Sequence, residues 1–279
     1  MIRADLHIHT YFSDGLMSPA EVVNEAAVNG LNVIAVTDHD TMLATGEVSA
    51  LAKERGIISV RGIEVSAYEG ELKLHTLGYN VDYKCSDYKS FAKRLYDGSV
   101  KRAEDIIYKL NKNGVALSME EVLAQKTVND TPIHGMHISR AGAAKGYASS
   151  PFNFYLKYLA GGKCASSCIC RLTPEETIEV IDACGGFASL AHPARIDLDR
   201  SGVAALVKKL VPLGLGGIEG VYSTHTANDT AYYKELAKTY RLVLTGGSDT
   251  HYKEGNKKIG TPAFYIDEAL AEKLKIEIR

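Results

Sequence analysis

Short apolar runs rich in β-branched residues alternate, over most of the chain, with stretches whose apolar positions recur at helical spacing. The first pattern predicts strands at Ile2–His9, Val33–Thr37, Ile57–Val65, Leu72–Tyr79, Phe187–Ala191, Gly217–Val221 and Leu242–Gly246. The second predicts helices. At Ser18–Asn29 the hydroxyl of Ser18 can cap, Pro19 sits at the first helical position and Glu21 completes a capping box. Thr41–Arg55 and Thr173–Cys184 read the same way, the latter opening Thr173-Pro174-Glu175-Glu176. Strands that alternate with helices of this length form βα units and a mainly parallel sheet. Seven such strands suit an α/β fold built as a distorted (β/α)7 barrel.

The alternation stops between residues 83 and 170. Lys101–Lys112 is amphipathic, with Ile106, Ile107 and Leu110 opposed to charged positions; Ser118-Met119-Glu120-Glu121 opens another helix, and helical stretches follow at His137–Lys145 and Asn153–Leu159. The expected organisation is a discontinuous barrel, residues 1–82 and 171–279, carrying a mainly helical insertion or cap of residues 83–170.

Composition narrows the class. The 279 residues are 46% hydrophobic and 24% charged, which describes a soluble chain with a large core. Lys and Arg number 32 against 34 Asp and Glu, a net charge of −2 that excludes a nucleic-acid-coating polycation. No stretch approaches the roughly 20 apolar residues that span a bilayer, and the start is charged by Asp5, so a cytoplasmic protein with no membrane partner is expected. Five cysteines, an odd number, argue against a disulfide framework. Cys164, Cys168 and Cys170 cluster but lack the paired spacing of a zinc site, and read as plain thiols in a loop.

The histidines and acids are not scattered. His7 and His9 end the first strand on one face, because strand side chains repeat every two residues, and Asp14 follows in the next loop. His39 follows the second strand, Glu64 lies on the third and His75 on the fourth; His192 closes a later strand, and Asp249 and His251 follow the last. In a βα barrel the carboxyl ends of the strands form the face where active sites are built. Six of nine histidines therefore meet three carboxylates on one rim, a set of donors suited to Zn, Mn or Fe. Packing alone gives no reason to gather them there.

The segments DLHIHTYFSDG (5–15), AVTDHDT (35–41), GIEVS (62–66), LAHPAR (190–195) and GGSDTH (246–251) resemble the motifs of the polymerase-and-histidinol-phosphatase (PHP) superfamily of metal-dependent phosphoesterases, in order and spacing. The segments around Arg102, His137 and Lys145 resemble a stand-alone subfamily that includes nucleoside 3′,5′-bisphosphate phosphatases and enzymes of cyclic phosphates or RNA 5′ ends. The resemblance implies a PHP barrel with three divalent ions (Mn, Fe or Zn). His7, His9, Glu64 and Asp249 would hold the first; Glu64 would bridge to a second held by His75 and His192; Asp14, His39 and His251 would hold the third. It also implies that Arg102, His137 and Lys145 contact the substrate's second phosphate. The chain departs from the subfamily where an Arg-Pro-His pattern is Gly135-Met136-His137.

Phosphate esters repel hydroxide, so hydrolysis needs a nucleophile at neutral pH and cancellation of charge, which a hydroxide bridging closely spaced metals provides. The leaving group can be protonated by Asp38 or by His225. Arg195 either clamps a phosphate or pairs with Asp197 or Asp199, and His134 reads as a surface residue. The expected activity is hydrolysis of small phosphorylated nucleotides or sugars, foremost the 3′-phosphate of nucleoside 3′,5′-bisphosphates. A phosphoribose cyclic phosphate or the 5′ end of a short RNA are the alternative substrates. A non-catalytic metal-binding module of a larger assembly and a metal-dependent amidohydrolase are rivals from other classes. Against the latter, no Lys closes a predicted strand.

Overall fold

The computed structural model describes residues 2–161, 163, 166–252 and 257–276. In chain order the elements are β1 (Ile2–Ile8), α1 (Pro19–Val28), β2 (Val33–Val36), α2 (Thr45–Glu54), β3 (Ile58–Glu69), β4 (Leu72–Tyr79), α3 (Ser86–Lys112), α4 (Met119–Leu123), α5 (Gly135–Ala144), α6 (Pro151–Phe154), α7 (Pro174–Ala183), β5 (Phe187–Leu190), α8 (Arg200–Leu210), β6 (Leu215–Tyr222), α9 (Ala227–Tyr240), β7 (Val243–Gly247), β8 (Phe264–Ile266) and α10 (Glu268–Leu274). Capping boxes start α1 at Ser18, α4 at Ser118 and α7 at Thr173, where the spacing of Ser/Thr and Glu placed them. Among the described residues, no helix is long and apolar enough to cross a membrane.

The strands form one sheet in the order β7-β6-β5-β4-β3-β2-β1-β8. Beyond β7 the chain zips onto β1: the amide of Asp249 donates to the His7 carbonyl at 2.7 Å, and that of His9 to the Thr250 carbonyl at 3.0 Å. The sheet thereby rolls into a nearly closed barrel with the ends of β1 and β7 side by side.

Two features depart from a simple run of βα units. An eighth strand, β8, pairs antiparallel to β1; at three residues it is too short for period-two patterning to show. And β3 runs four residues past its predicted end at Val65, turns through Gly70 at φ 60°, and returns as β4, which is antiparallel to both β3 and β5. Glu64 and His75 therefore lie within the strands of a hairpin. Because Ser66 pairs with His75 and Glu64 with Leu77, the two ligand candidates are diagonal neighbours on one face.

α3 begins at Ser86, not at Lys101, and is 27 residues long. Its buried positions Tyr88, Phe91 and Leu95 keep the helical period and pack with Ile63, Leu74, Ile178 and Ile181 of the barrel side. Farther along, Ala103, Ile107 and Leu110 pack with Val122, Ile138 and Phe154 in a separate cluster made by the helices between β4 and α7. One helix thus joins two cores. A disulfide links Cys85, the N-cap of α3, to Cys184, just after α7, contrary to the expectation of unpaired thiols; 99 residues separate them, so spacing carried no signal. Cys168 and Cys170 are free and exposed, while Cys164 lies outside the described residues.

Candidate active site

Glu64 is the hub of the barrel mouth. Its Oε2 lies 3.0 Å from His7 Nε2, 3.0 Å from His9 Nε2 and 3.2 Å from His39 Nδ1, while its Oε1 lies 2.7 Å from His75 Nδ1 and 2.9 Å from His192 Nε2. Five imidazoles thus surround one buried carboxylate. Asp249 Oδ1 closes the set at 3.2 Å from His9 and 3.3 Å from His251, and Asp14 Oδ1 sits 3.2 Å from His251 Nε2. Ligand atoms within 4.8 Å of one another form three overlapping groups: His7, His9, Glu64 and Asp249; His9, Asp14, His39 and His251; His39, Glu64 and His75. His9 and His39 each belong to two of them, where the resemblance assigns each to a single ion.

The donors fit divalent metals on their own chemistry. Buried atoms at the centre of the cluster have no hydrogen-bond partner: His7 Nε2, His9 Nε2, Asp14 Oδ1, His39 Nδ1 and Glu64 Oε2. Orphaned buried polar atoms are rare and costly, and here they converge. Partners on the far side fix the rings. Glu219, fully buried on β6, takes His7 Nδ1 at 3.0 Å and accepts the His192 amide at 2.7 Å, which turns His7 Nε2 toward Glu64. His251 Nδ1 is engaged by the Asp249 carbonyl at 3.0 Å, so its Nε2 faces Asp14. His192 (φ 27°) and Asp249 (φ 53°) both adopt left-handed backbone, a strain that concentrates at functional sites.

The charge balance follows this geometry. Burial opposes protonation of His7, yet Glu64, Glu219 and Asp249 raise it well above its ordinary value; His9 is raised to about 9 against the same burial. Burial dominates at His39, held well below its ordinary value, and at His75, lowered to about 4. Burial pushes the carboxyls of Glu64, Asp14 and Asp249 up, but the surrounding imidazoles hold all three well below the usual range. Carboxylates kept anionic beside several lone pairs are what a cation site requires.

Other predicted residues fare differently. Asp38 is engaged by the β1–α1 loop. Its carboxylate accepts from the Thr10 amide and hydroxyl (2.7 and 2.6 Å) and from Ser13 (2.6 Å), and so braces the β1–α1 loop. His137 is equally committed: Nδ1 accepts the His134 amide and Nε2 donates to the Ser13 carbonyl, both at 3.0 Å, so it docks α5 onto that loop. Arg140 adds a second tie, to the Asp14 carbonyl at 2.5 Å. Lys145, the C-cap of α5 about 12 Å from His137 along the helix, pairs with Glu121 at 2.7 Å. Arg102 donates to the Cys170 carbonyl at 3.2 Å, and its charge bears on Asp40 and His134. Arg195 pairs with Asp249 at 3.3 Å and donates to the Tyr222 hydroxyl at 2.8 Å. His225 donates from Nδ1 to the Gly220 carbonyl, 5.1 Å in ring separation from Tyr222, with a buried Nε2 that has no partner.

Three residues escaped sequence reasoning. Glu219 carried a faint signal, an acid inside the apolar run of β6. Lys257 reaches both Asp249 Oδ2 (2.5 Å) and the Tyr222 hydroxyl (2.9 Å) from a loop with no distinctive pattern. His134, expected at the surface, turns inward instead. Its ring centre is 5.6 Å from that of His39, its Nε2 is buried without a partner, and burial pushes it down to about 3.

The PHP domain family model matches residues 5–149. A phosphoribosyl 1,2-cyclic phosphate 1,2-diphosphodiesterase of Eggerthella lenta is 32% identical over 90% of this chain and 95% of its own. A 3′,5′-nucleoside bisphosphate phosphatase of Chromobacterium violaceum is 29% identical over 93% and 91%, and a 5′-3′ exoribonuclease of Haemophilus influenzae 30% over 96% and 97%. Among solved structures, a Chromobacterium violaceum protein described as an amidohydrolase, with bound sulfate, superposes with a TM-score of 0.86 at 26% identity, covering 98% of this chain and 95% of that one. The chain belongs to the PHP domain family. It is a phosphoric ester hydrolase whose barrel mouth carries clustered metal-ligating residues.

Proposed function

We propose that the protein is a cytoplasmic phosphatase that removes the 3′-phosphate of nucleoside 3′,5′-bisphosphates with three divalent ions, Mn, Fe or Zn. The observation that carries the reading is the single carboxylate of Glu64 ringed by five imidazoles within three overlapping ligand groups. His7, His9, Glu64 and Asp249 would hold one ion, Glu64 with His75 and His192 a second, and Asp14, His39 and His251 a third. Metals held this closely lower the pKa of water to neutrality and cancel the charge of phosphoryl oxygens. The protein's own residues do the rest. Glu219 and the Asp249 carbonyl orient the rings of His7 and His251. Arg195 presents a half-exposed guanidinium beside Asp249, suited to a phosphoryl oxygen. His225 keeps an unengaged Nε2 on the Tyr222 side, where it can take or return a proton at the leaving oxygen. The helices of residues 83–170, with a core of their own, serve as a cap docked by His137 and Arg140.

A nucleoside is favoured over a bare sugar phosphate by a cavity of about 380 Å³ between α3 and the loop after β2. Tyr83, Tyr88 and Tyr96 line it together with Met42, Pro132 and Asp40, the neighbour of His39. Aromatic faces stack bases at roughly 1–3 kcal/mol each. Similarity to the Eggerthella lenta and Haemophilus influenzae relatives supports a second reading, action on a cyclic phosphodiester or on a short RNA 5′ end at the same site.

The test is phosphate release by Mn²⁺-loaded protein on nucleoside 3′,5′-bisphosphates, a ribose 1,2-cyclic phosphate, histidinol phosphate and 5′-phosphorylated oligoribonucleotides. Bisphosphates should give the highest kcat/KM, and Tyr96→Ala should lower it for nucleotides about tenfold while sparing sugar phosphates. Glu64→Gln should cost more than about a hundredfold in kcat, since it removes a ligand and not merely its support. A metal-loaded protein inert on the whole panel, or a Glu64→Gln variant with undiminished turnover, defeats the proposal.

A further inference from the structure

Two histidines outside the ligand groups carry a buried Nε2 with no partner: His225 and His134. They differ in one respect. His225 has its other nitrogen committed to the Gly220 carbonyl, whereas the side chain of His134 takes part in the capping box that opens α5, with His137 as its counterpart. A buried ring nitrogen without a partner forfeits the hydrogen bond it made to water, an unfavourable arrangement unless something else supplies a partner.

The ring is nonetheless held in place. His134 is the N-cap of α5, and its backbone amide donates to His137 Nδ1 at 3.0 Å. His137 is itself tied to the Ser13 carbonyl, and Arg140, one and a half turns on, to the Asp14 carbonyl. The start of α5 is thereby fastened to the loop that carries Asp14. From there the imidazole projects toward His39, 5.6 Å between ring centres, on the Asp14 side of the ligand cluster. Lys73 of β4 and Arg102 of α3 place positive charge on the same ring, and Asp14 is the acid that faces it. An unpartnered ring nitrogen beside His39, in the field of two cations, suits an anionic oxygen. The adjoining Gly135 offers no side chain with which to do this.

We propose that His134 is a specificity-determining residue whose Nε2–H donates to a phosphoryl oxygen of the substrate, on the Asp14–His39–His251 side of the site. This rests on the phosphoesterase reading of that site. As a neutral donor it adds one hydrogen bond without a fixed charge, worth about tenfold in affinity.

His134→Phe removes the donor and keeps a planar ring; His134→Gln restores a donor. Both are loaded with Mn²⁺, checked for metal content and thermal stability, and titrated calorimetrically with inorganic phosphate, alongside kcat and KM on the substrate that wild type turns over fastest. The expected result is phosphate binding about tenfold weaker in His134→Phe, a matching rise in KM with kcat little changed, and recovery in His134→Gln. In Zn²⁺-loaded wild type, the ¹⁵Nε2 resonance of His134 should shift on phosphate addition, a readout that needs no variant. Phosphate affinity in His134→Phe equal to wild type overturns the proposal. So does an unmoved ¹⁵Nε2 resonance, or a His134→Gln variant as impaired as His134→Phe with a lowered melting temperature, which marks a purely structural residue. If wild type releases phosphate from no ester, the functional reading itself fails, and that outcome is separate from any of these.

Discussion

Glu219 shows how much the site depends on residues that never face a ligand position. It is fully buried, and its two oxygens fix the ring of His7 and the backbone of His192, one on each side of Glu64. Substituting Glu219→Gln leaves the volume but loses the charge that holds the His7 tautomer, and should weaken metal binding about 10- to 100-fold, measured by competition with a chromophoric chelator. Unchanged affinity would mean that His7 is oriented by packing alone. The outer oxygen of Asp249 is handled similarly, with Tyr222 at 2.6 Å, Lys257 at 2.5 Å and Arg195 at 3.3 Å. The ligands themselves were legible in the sequence because chemistry restricts them to a few residue types at strand ends. Their supports were not, since a buried Glu or a loop Lys looks the same whether or not a histidine needs it.

At the scale of elements, the close approach of β1 and β7 brings Asp249 and His251 to His7 and His9, and it depends on Gly247. A Cβ there would stand 2.4 Å from His7 Cβ and 2.5 Å from its nitrogen. Gly247→Ala should therefore destabilise by about 1–3 kcal/mol in urea denaturation and lower metal occupancy together with it. α5 makes a second testable joint. Burial lowers His137 from the ordinary 6.5 to about 4, so the unfolded chain takes up this proton at higher pH than the folded one. The stability it contributes, roughly 3 kcal/mol, is present above pH 6.5 and is lost as pH falls toward 4. Melting temperatures of metal-free protein should drop over that window, and less steeply in His137→Gln, with His75 and His134 titrating in both proteins. Parallel slopes would contradict the buried, neutral state of His137. Capping boxes and apolar periods located α1, α4 and α7 closely, because those signals are local. The start of α3 and the whole of β8 escaped notice: their patterns make sense only against the distant surfaces they pack on.

For the whole molecule, ions at the barrel mouth would bind the folded state and not the unfolded one, so chelation should lower the melting temperature as well as abolish turnover. A single site at a hundredfold excess over Kd accounts for about 2.7 kcal/mol, and Mn²⁺ added back should restore both. A melting curve indifferent to chelator would leave the cluster without its proposed occupants. The sequence by itself determined the barrel class and all nine converging ligand candidates, because period-two strands with His, Asp and Glu at their rims follow from local geometry and donor chemistry. Only the tertiary structure decided that β3 and β4 form a hairpin, that Asp38 and His137 brace the β1–α1 loop, that Lys145 pairs with Glu121, and that His134 turns inward. Those outcomes depend on which surfaces meet after the sheet closes, and side chains far apart in the chain carry no record of one another until it does.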